Sequence, residues 1–158
     1  VATDGREYAF VDVASGTRQS GRVDDELLWR TARIDLAPSE AVALLLGTPP
    51  IAGGAVVRRA RRFADGRVEA VLAAAEGGEL VVAWDAAGEL RRAERTDARG
   101  TRWRAEYADV RDVDGRPFAH EIDLAFPRVD ATARIRFRSV ELDPALSPEV
   151  FVLQRAPR

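Results

Sequence analysis

Apolar and polar residues alternate along most of the second half of the chain. Alternation with a period of two is typical of β-strands that bury one face, and glycine-containing pairs are typical of the turns between antiparallel strands. Such pairs occupy residues 77–78, 87–88 and 114–115. The pattern therefore predicts an antiparallel meander built from "RVEAVLAAA", "ELVVAWD", "ELRRAER", "TRWRAEYADVR", "RPFAHEIDLAF" and "ATARIRFRSVEL".

The first part of the chain predicts a hairpin and one or two short helices. Residues 7–13 and 17–23 alternate on either side of "ASG", a pattern that indicates a hairpin. In "LAPSEAVALLLG", Pro38 near the start, Ser39 as a cap and Gly47 as a stop predict a helix. "DDELLWR" predicts one helical turn, and "AVVRRARRFADG" fits a helical stripe or a strand, of which we favour the strand.

The predicted strands have one apolar face and one charged face. Trp103, Ala105 and Tyr107 share a face, and Arg102 and Arg104 fall on the other. The same division separates two further sets of apolar residues from their charged neighbours, namely Phe118, His120, Ile122, Leu124 and Phe126, and Ala133, Ile135 and Phe137. A sheet of at least seven strands with one apolar face needs more cover than a single convincing helix supplies.

The amino-acid composition argues against several classes of partner and of chemistry. The net charge is −2, and all 24 basic residues are arginines, so the molecule as a whole gives no electrostatic reason to attract nucleic acid. No apolar run approaches the length of a membrane span. The absence of Cys excludes disulfides, thiol nucleophiles and Cys-based metal sites.

Candidate catalytic and metal-binding residues are few. His120 is the single histidine, and its apolar neighbours are typical of a core histidine, although a hydrolase using His120 with a nearby carboxylate is one hypothesis. "DVRDVDGRP" superficially resembles a calcium loop, but the hydrophobic strand that follows indicates a solvated hairpin tip. The arginines of "VVRRARRF" are interpreted as a solvated face rather than a phosphate-binding patch. We expect no cofactor, no metal and no catalytic residue.

The order of these signals resembles the LolA and LolB lipoprotein-carrier superfamily, in particular its divergent outer-membrane lipoprotein relatives. The segments that carry the resemblance are "ATDGREYAFVDVASGTRQSG", "EAVALLLGTPPI", "VAWDAAGELRRAERTDARG" and "RIRFRSVELDPALSPEVFVLQRAP". They cover most of the chain. Relative to the family, the chain lacks the N-terminal helix and first strands, so we expect one N-terminally truncated domain over residues 1–158.

The resemblance implies a mainly β (α+β) fold, in which a strongly curved antiparallel meander forms an incomplete barrel. One or two short helices would cover its concave apolar face. The resemblance also implies binding of lipoprotein acyl chains or another lipid in a hydrophobic cavity, without catalysis. It places the protein in the periplasm or at the periplasmic face of the outer membrane, in lipoprotein trafficking.

The apolar face supplies the candidate ligand-binding residues. They are Trp84, Trp103, Tyr107, Phe118, Ile122, Leu124, Ile135, Phe137 and Phe151, with Leu44, Leu45 and Leu46 as helix cover. The alternative is a structural or assembly domain with a self-filled core that binds an envelope protein. An unpaired sheet edge would favour pairing with an N-terminal fragment or edge-to-edge self-association.

Overall fold

The computed structural model describes residues 2–3, 5–12, 15–74 and 77–147. Two helices, α1 (Leu27–Ala32) and α2 (Pro38–Leu45), separate the strands into two groups. The strands are β1 (Ala2–Thr3), β2 (Glu7–Val11), β3 (Arg18–Arg22), β4 (Val56–Arg62), β5 (Val68–Ala73), β6 (Glu79–Trp84), β7 (Leu90–Asp97), β8 (Gly100–Val113), β9 (Arg116–Phe126) and β10 (Ala131–Arg136). A short 3-10 turn, Pro127–Val129, joins the last two.

Strands β4 to β10 form one antiparallel sheet in sequence order, which confirms the predicted meander. The sheet is not closed into a barrel, and β4 and β10 are its edges within the described residues. The ambiguous segment before Asp65 is a strand, β4, as favoured from the sequence. The turn after β5 requires glycine, because Gly78 has a φ of +81° and a Cβ there would lie 2.0 Å from the Thr96 carbonyl oxygen.

The predicted N-terminal hairpin also forms, but outside the large sheet. Strands β2 and β3 pair in antiparallel register, with Tyr8 opposite Gly21, and β1 adds a third strand beside β2. These three strands make a separate sheet. Strand β3 is exposed along its whole length.

Helix α2 begins differently from the sequence prediction. Pro38 is its first residue, and the Glu40 carboxylate accepts a hydrogen bond of 2.9 Å from the Ala37 N–H. The prediction of Ser39 as the cap is wrong, because Ala37 holds the cap position; its methyl group accepts no hydrogen bond, and Glu40 satisfies the N–H of Ala37 itself. The helix ends before Gly47, whose φ of +67° suits a stop signal.

The two helices and the segment between them, residues 27–45, lie against the apolar face of the large sheet, and we call this segment the lid. Leu36 and Leu44 of the lid belong to one buried cluster with the apolar residues of β5 to β9. Val82, Ala93, Ala105 and Leu124 are paired neighbours across four strands, so the cluster follows one face of the sheet. The opposite face carries charged residues, including Glu94, Arg104 and Asp123.

Candidate ligand-binding site

The centre of the concave face is a buried apolar wall, which we call the concave wall. It consists of Trp103, Tyr107, Ile122 and Leu124, all four predicted from the sequence. Tyr107 lies opposite Ile122, and Ala105 lies opposite Leu124, so the strand register places the four on one face. Trp103 and Ile122 are fully buried. The alternation of β8 and β9 therefore identified these neighbours correctly.

Of the three leucines predicted as helix cover, Leu44 is the one that is buried with the wall. Leu44 is 1% exposed, whereas Leu45 and Leu46 are 38% and 57% exposed. Consecutive residues of an α-helix are about 100° apart, so the three leucines do not share one buried face. Leu46 lines a pocket beside Tyr107, and the role of Leu45 and Leu46 as cover stays a prediction.

Polar contacts hold the lid to the concave wall at both ends of α2. The indole Nε1–H of Trp103 donates to Glu40 Oε1 at 3.3 Å, and the Tyr107 hydroxyl donates to the Leu44 carbonyl oxygen at 3.2 Å. Burial raises the pKa of Tyr107, so the hydroxyl stays a donor throughout the physiological range. Both wall aromatics thus contribute apolar surface and a polar contact to the lid.

Arg102 adds a third attachment of the lid. Its Nε donates to Asp35 Oδ1 at 2.8 Å, and its Nη1 lies 3.3 Å from Glu40 Oε2. These contacts correct the sequence expectation, which placed Arg102 on the charged face with Arg104. The pairing of β7 with β8 shifts by one residue next to Arg95, which leaves Arg102 as an extra residue on β8. Such a bulge redirects a side chain, and here it directs Arg102 to the lid.

One end of the concave face opens into a small pocket of mixed polar and apolar lining, which we call the bottom pocket. This end carries the β4–β5, β6–β7 and β8–β9 turns, and the pocket has a volume of about 170 Å³. Trp84, Tyr107 and Phe118 line it together with Leu46. The volume is below the roughly 300–1,000 Å³ typical of sites that enclose a small-molecule ligand.

The opposite end opens into a larger, charged cleft, which we call the top cleft. This end carries the β5–β6 and β7–β8 turns and the 3-10 turn, and the cleft has a volume of about 1000 Å³. Its side chains include Asp35, Glu40, Asp97, Arg102 and Arg128. Sequence reasoning missed this cleft, because its residues come from turns, a bulge and the lid, none of which shares a periodic pattern.

The remaining predicted residues lie at the margin of the wall. Ile135 and Phe137 are partly buried against the core, and the Phe137 ring packs edge-on against Phe118 with centroids 5.6 Å apart. Trp84 and Phe118 are likewise half-buried, at the bottom pocket. Phe151 lies outside the described residues.

His120 has the environment of a core histidine. It is 5% exposed, its Nδ1 lies 3.1 Å from the Phe118 carbonyl oxygen, and its ring meets the Phe118 ring edge-on. At the tip of the β8–β9 hairpin, Asp112 accepts a hydrogen bond from the Gly115 N–H, and Asp109 pairs with Arg111. Within the described ranges, no group of three or more His, Asp or Glu side chains could hold a metal ion.

The described helices were also tested as membrane spans. None of the helices in the described part of the chain is both long enough and apolar enough to cross a bilayer.

Comparison with known proteins identifies the class of fold. No protein-family model matches the chain, and no curated protein matches it either. The crystal structure of a LolA superfamily protein from Nitrosomonas europaea is similar, with a TM-score of 0.61 over 96% of this chain and 68% of that chain, at 12% identity. The chain therefore has the fold of the LolA superfamily, as the sequence resemblance implied.

Proposed function

We propose that this protein binds a hydrophobic ligand, an acyl chain of a lipoprotein or another lipid, between the concave wall and the lid. It performs no catalysis in this proposal. The likeness to a LolA superfamily structure supports the class of function, and the apolar wall beneath a short lid supports the place of binding. The candidate lining comprises Trp84, Trp103, Tyr107, Phe118, Ile122, Leu124, Ile135 and Phe137.

The observation that carries the proposal is the nature of the lid. It consists of helices of six and eight residues. Its polar contacts with β8 join Glu40 to Trp103, the Leu44 carbonyl to Tyr107, and both Asp35 and Glu40 to Arg102. Each such hydrogen bond contributes about 0.5–1.5 kcal/mol, and up to about 3 kcal/mol when a charged group takes part. Burying acyl carbons contributes about 0.8 kcal/mol per CH₂. An acyl chain of about ten carbons therefore contributes about 8 kcal/mol, which is comparable with the polar contacts that hold the lid.

The fold class supports a proposal for the cellular role. We infer a role in lipoprotein trafficking in the periplasm or at the periplasmic face of the outer membrane, as a carrier or chaperone. An acyl chain is the expected partner, and an envelope protein is the second candidate. Nucleic acid is not an expected partner, because the net charge is −2.

Titration with a diacylated lipopeptide tests this proposal. Because Trp103 lies in the wall and Trp84 lines the bottom pocket, we expect a saturable change in tryptophan fluorescence. The same peptide without acyl chains is the control and should cause no such change. Absence of saturable binding up to high micromolar lipopeptide would contradict the proposal.

A second candidate function has its own supporting observation. Trp103, Tyr107, Ile122 and Leu124 are already buried against the lid, which also fits a self-filled core in a structural or assembly domain. That candidate predicts co-purification of an envelope protein and no lipopeptide binding. The titration above therefore separates the two.

A further inference from the structure

We propose that the top cleft binds a zwitterionic head group, a phosphate joined to an ammonium group, of the amphiphile whose acyl chain lies on the concave wall. This inference rests on the proposed function and specifies the class of ligand for the same site. It also assigns a role to the charged end of the concave face. Binding of an acyl chain on the concave wall would not involve these charges.

The charges at the centre of the cleft pair with one another. Arg128 bonds to Asp97 and donates to the Gly100 carbonyl oxygen at 3.0 Å, and Asp35 lies 3.9 Å from its Nη1. Arg102 joins Asp35 to Glu40. These pairs bridge the sheet and the lid, so they give the floor of the cleft little net charge and a fixed shape.

The two sides of the cleft carry further charges of opposite sign. On the sheet side, Arg95 makes only a 3.4 Å contact with the Gly77 carbonyl oxygen, and Arg99 has no side-chain hydrogen bond within the described ranges. On the opposite side, just before the lid begins, Asp25 has no side-chain partner among the described residues, and Glu26 lies 3.9 Å from Arg30. We call Arg95 and Arg99 the basic side and Asp25 and Glu26 the acidic side.

This arrangement fits a ligand that carries both charges. Guanidinium groups bind phosphate through paired N–H donors, and carboxylates attract an ammonium group by its positive charge, whether or not that group carries N–H donors. A ligand with one charge would satisfy one side and leave the other without a partner. Trp29 is 38% exposed and lines the same cleft, and the Arg33 guanidinium already lies 5.4 Å from the centre of its ring, so this ring is placed to contact cations at the edge of the cleft.

The cleft also connects to the apolar site. Leu36 lines the cleft and belongs to the buried cluster that contains the concave wall. A head group in the cleft therefore places its attached chain beside the wall. The volume of about 1000 Å³ accommodates a head group with its ordered water.

Calorimetry with detergents that share a dodecyl chain tests the head-group assignment. Below their critical micelle concentrations, we expect dodecylphosphocholine to bind about tenfold more tightly than dodecyl maltoside. Arg95→Gln with Arg99→Gln, or Asp25→Asn with Glu26→Gln, should reduce the ratio of the two dissociation constants to about one. The matched control, Arg111→Gln with Arg116→Gln at the other end of the sheet, should keep the tenfold ratio.

Several results would overturn the inference. Equal affinities of the unmodified protein for dodecylphosphocholine and dodecyl maltoside would contradict it. Tighter binding of dodecyl phosphate than of dodecylphosphocholine would also contradict it, because the ammonium group would then contribute nothing. If neither detergent binds, the proposed acyl site is refuted. The head-group site is then tested separately with O-phosphoethanolamine, a head group that carries no acyl chain. In a variant with Trp84→Phe and Trp103→Phe, Trp29 is the sole tryptophan. A change in its fluorescence with this compound that is lost when either charge-removing double change is added supports the cleft, and no change refutes it.

Discussion

Glu94 is a buried carboxylate on the convex face of the sheet. Burial on its own would raise its pKa, but hydrogen bonds from Arg104 and Arg92 outweigh this effect and lower the pKa to about 2. Arg104 donates to Glu94 Oε2 at 2.8 Å, and the Thr101 hydroxyl donates to Oε1 at 3.1 Å. Because the pKa is lowered on folding, the stabilisation is present above the unfolded value of about 4.5 and is lost as the pH falls towards 2.

Replacing Glu94 tests this pH dependence. We expect Glu94→Gln to lower the free energy of unfolding by roughly 1–2 kcal/mol at pH 7, after allowance for solvent screening. The difference from the unmodified protein should shrink between pH 4.5 and pH 2 in urea titrations. Glu106→Gln, at an exposed position of β8, is the control and should change stability by less than about 0.5 kcal/mol. A difference for Glu94→Gln that does not vary with pH would refute the account.

Individual residues were predictable from the sequence where alternation holds and not where it breaks. Trp103 and Ile122 follow the alternation of their strands, and the prediction that both face the apolar side is confirmed by their full burial. Arg102 escaped prediction because its orientation depends on the register of β7 against β8, which alternation along one strand does not encode. Leu44 is buried and Leu46 is exposed. The run of three leucines shows that one side of the helix is apolar, but it does not tell which of the three faces the sheet.

At the scale of elements, the lid covers the concave wall. Arg102 joins two acidic residues of the lid, Asp35 and Glu40, to β8. Removing it leaves the apolar packing of Leu44 and the hydrogen bonds of the wall aromatics in place. The lid should then open more often without loss of the sheet.

Arg102→Gln tests the role of the lid. We expect the free energy of unfolding to fall by about 1–2 kcal/mol, and the association rate of a lipopeptide to rise about tenfold because the open lid is more populated. Stopped-flow fluorescence measures the rate. Arg134→Gln, which removes an exposed ion pair with Asp123, should alter neither quantity appreciably. A destabilised Arg102 variant with an unchanged association rate would show that the lid is not the entrance.

The elements themselves were largely predictable, since their signals are local. Turn pairs and alternation located β5 to β10, and the Pro38 and Gly47 signals located α2. The position of β2 and β3 in a separate sheet depends on contacts between distant segments, so it could not be derived. The top cleft was missed for the same reason, because the lid and three turns meet there only in the folded chain.

At the scale of the whole molecule, the sheet has edges that need protection. Strand β4 is an edge of the large sheet within the described residues, and it carries Arg58, Arg59, Arg61 and Arg62 with an irregular register near Val57. Charged residues and bulges on edge strands oppose edge-to-edge pairing. The expected self-association or pairing with an N-terminal fragment stays a prediction, and these arginines favour an acidic partner strand over a second copy of β4.

The central claim is that an acyl chain lies against the concave wall, and heavy-atom quenching measures this directly. In a variant with Trp29→Phe and Trp84→Phe, Trp103 is the sole remaining tryptophan. Titration with a lipopeptide brominated along its acyl chains should quench Trp103 strongly and saturably, and the unbrominated lipopeptide should not. Saturable binding measured by calorimetry without quenching of Trp103 would contradict the account, because the chain would then lie elsewhere.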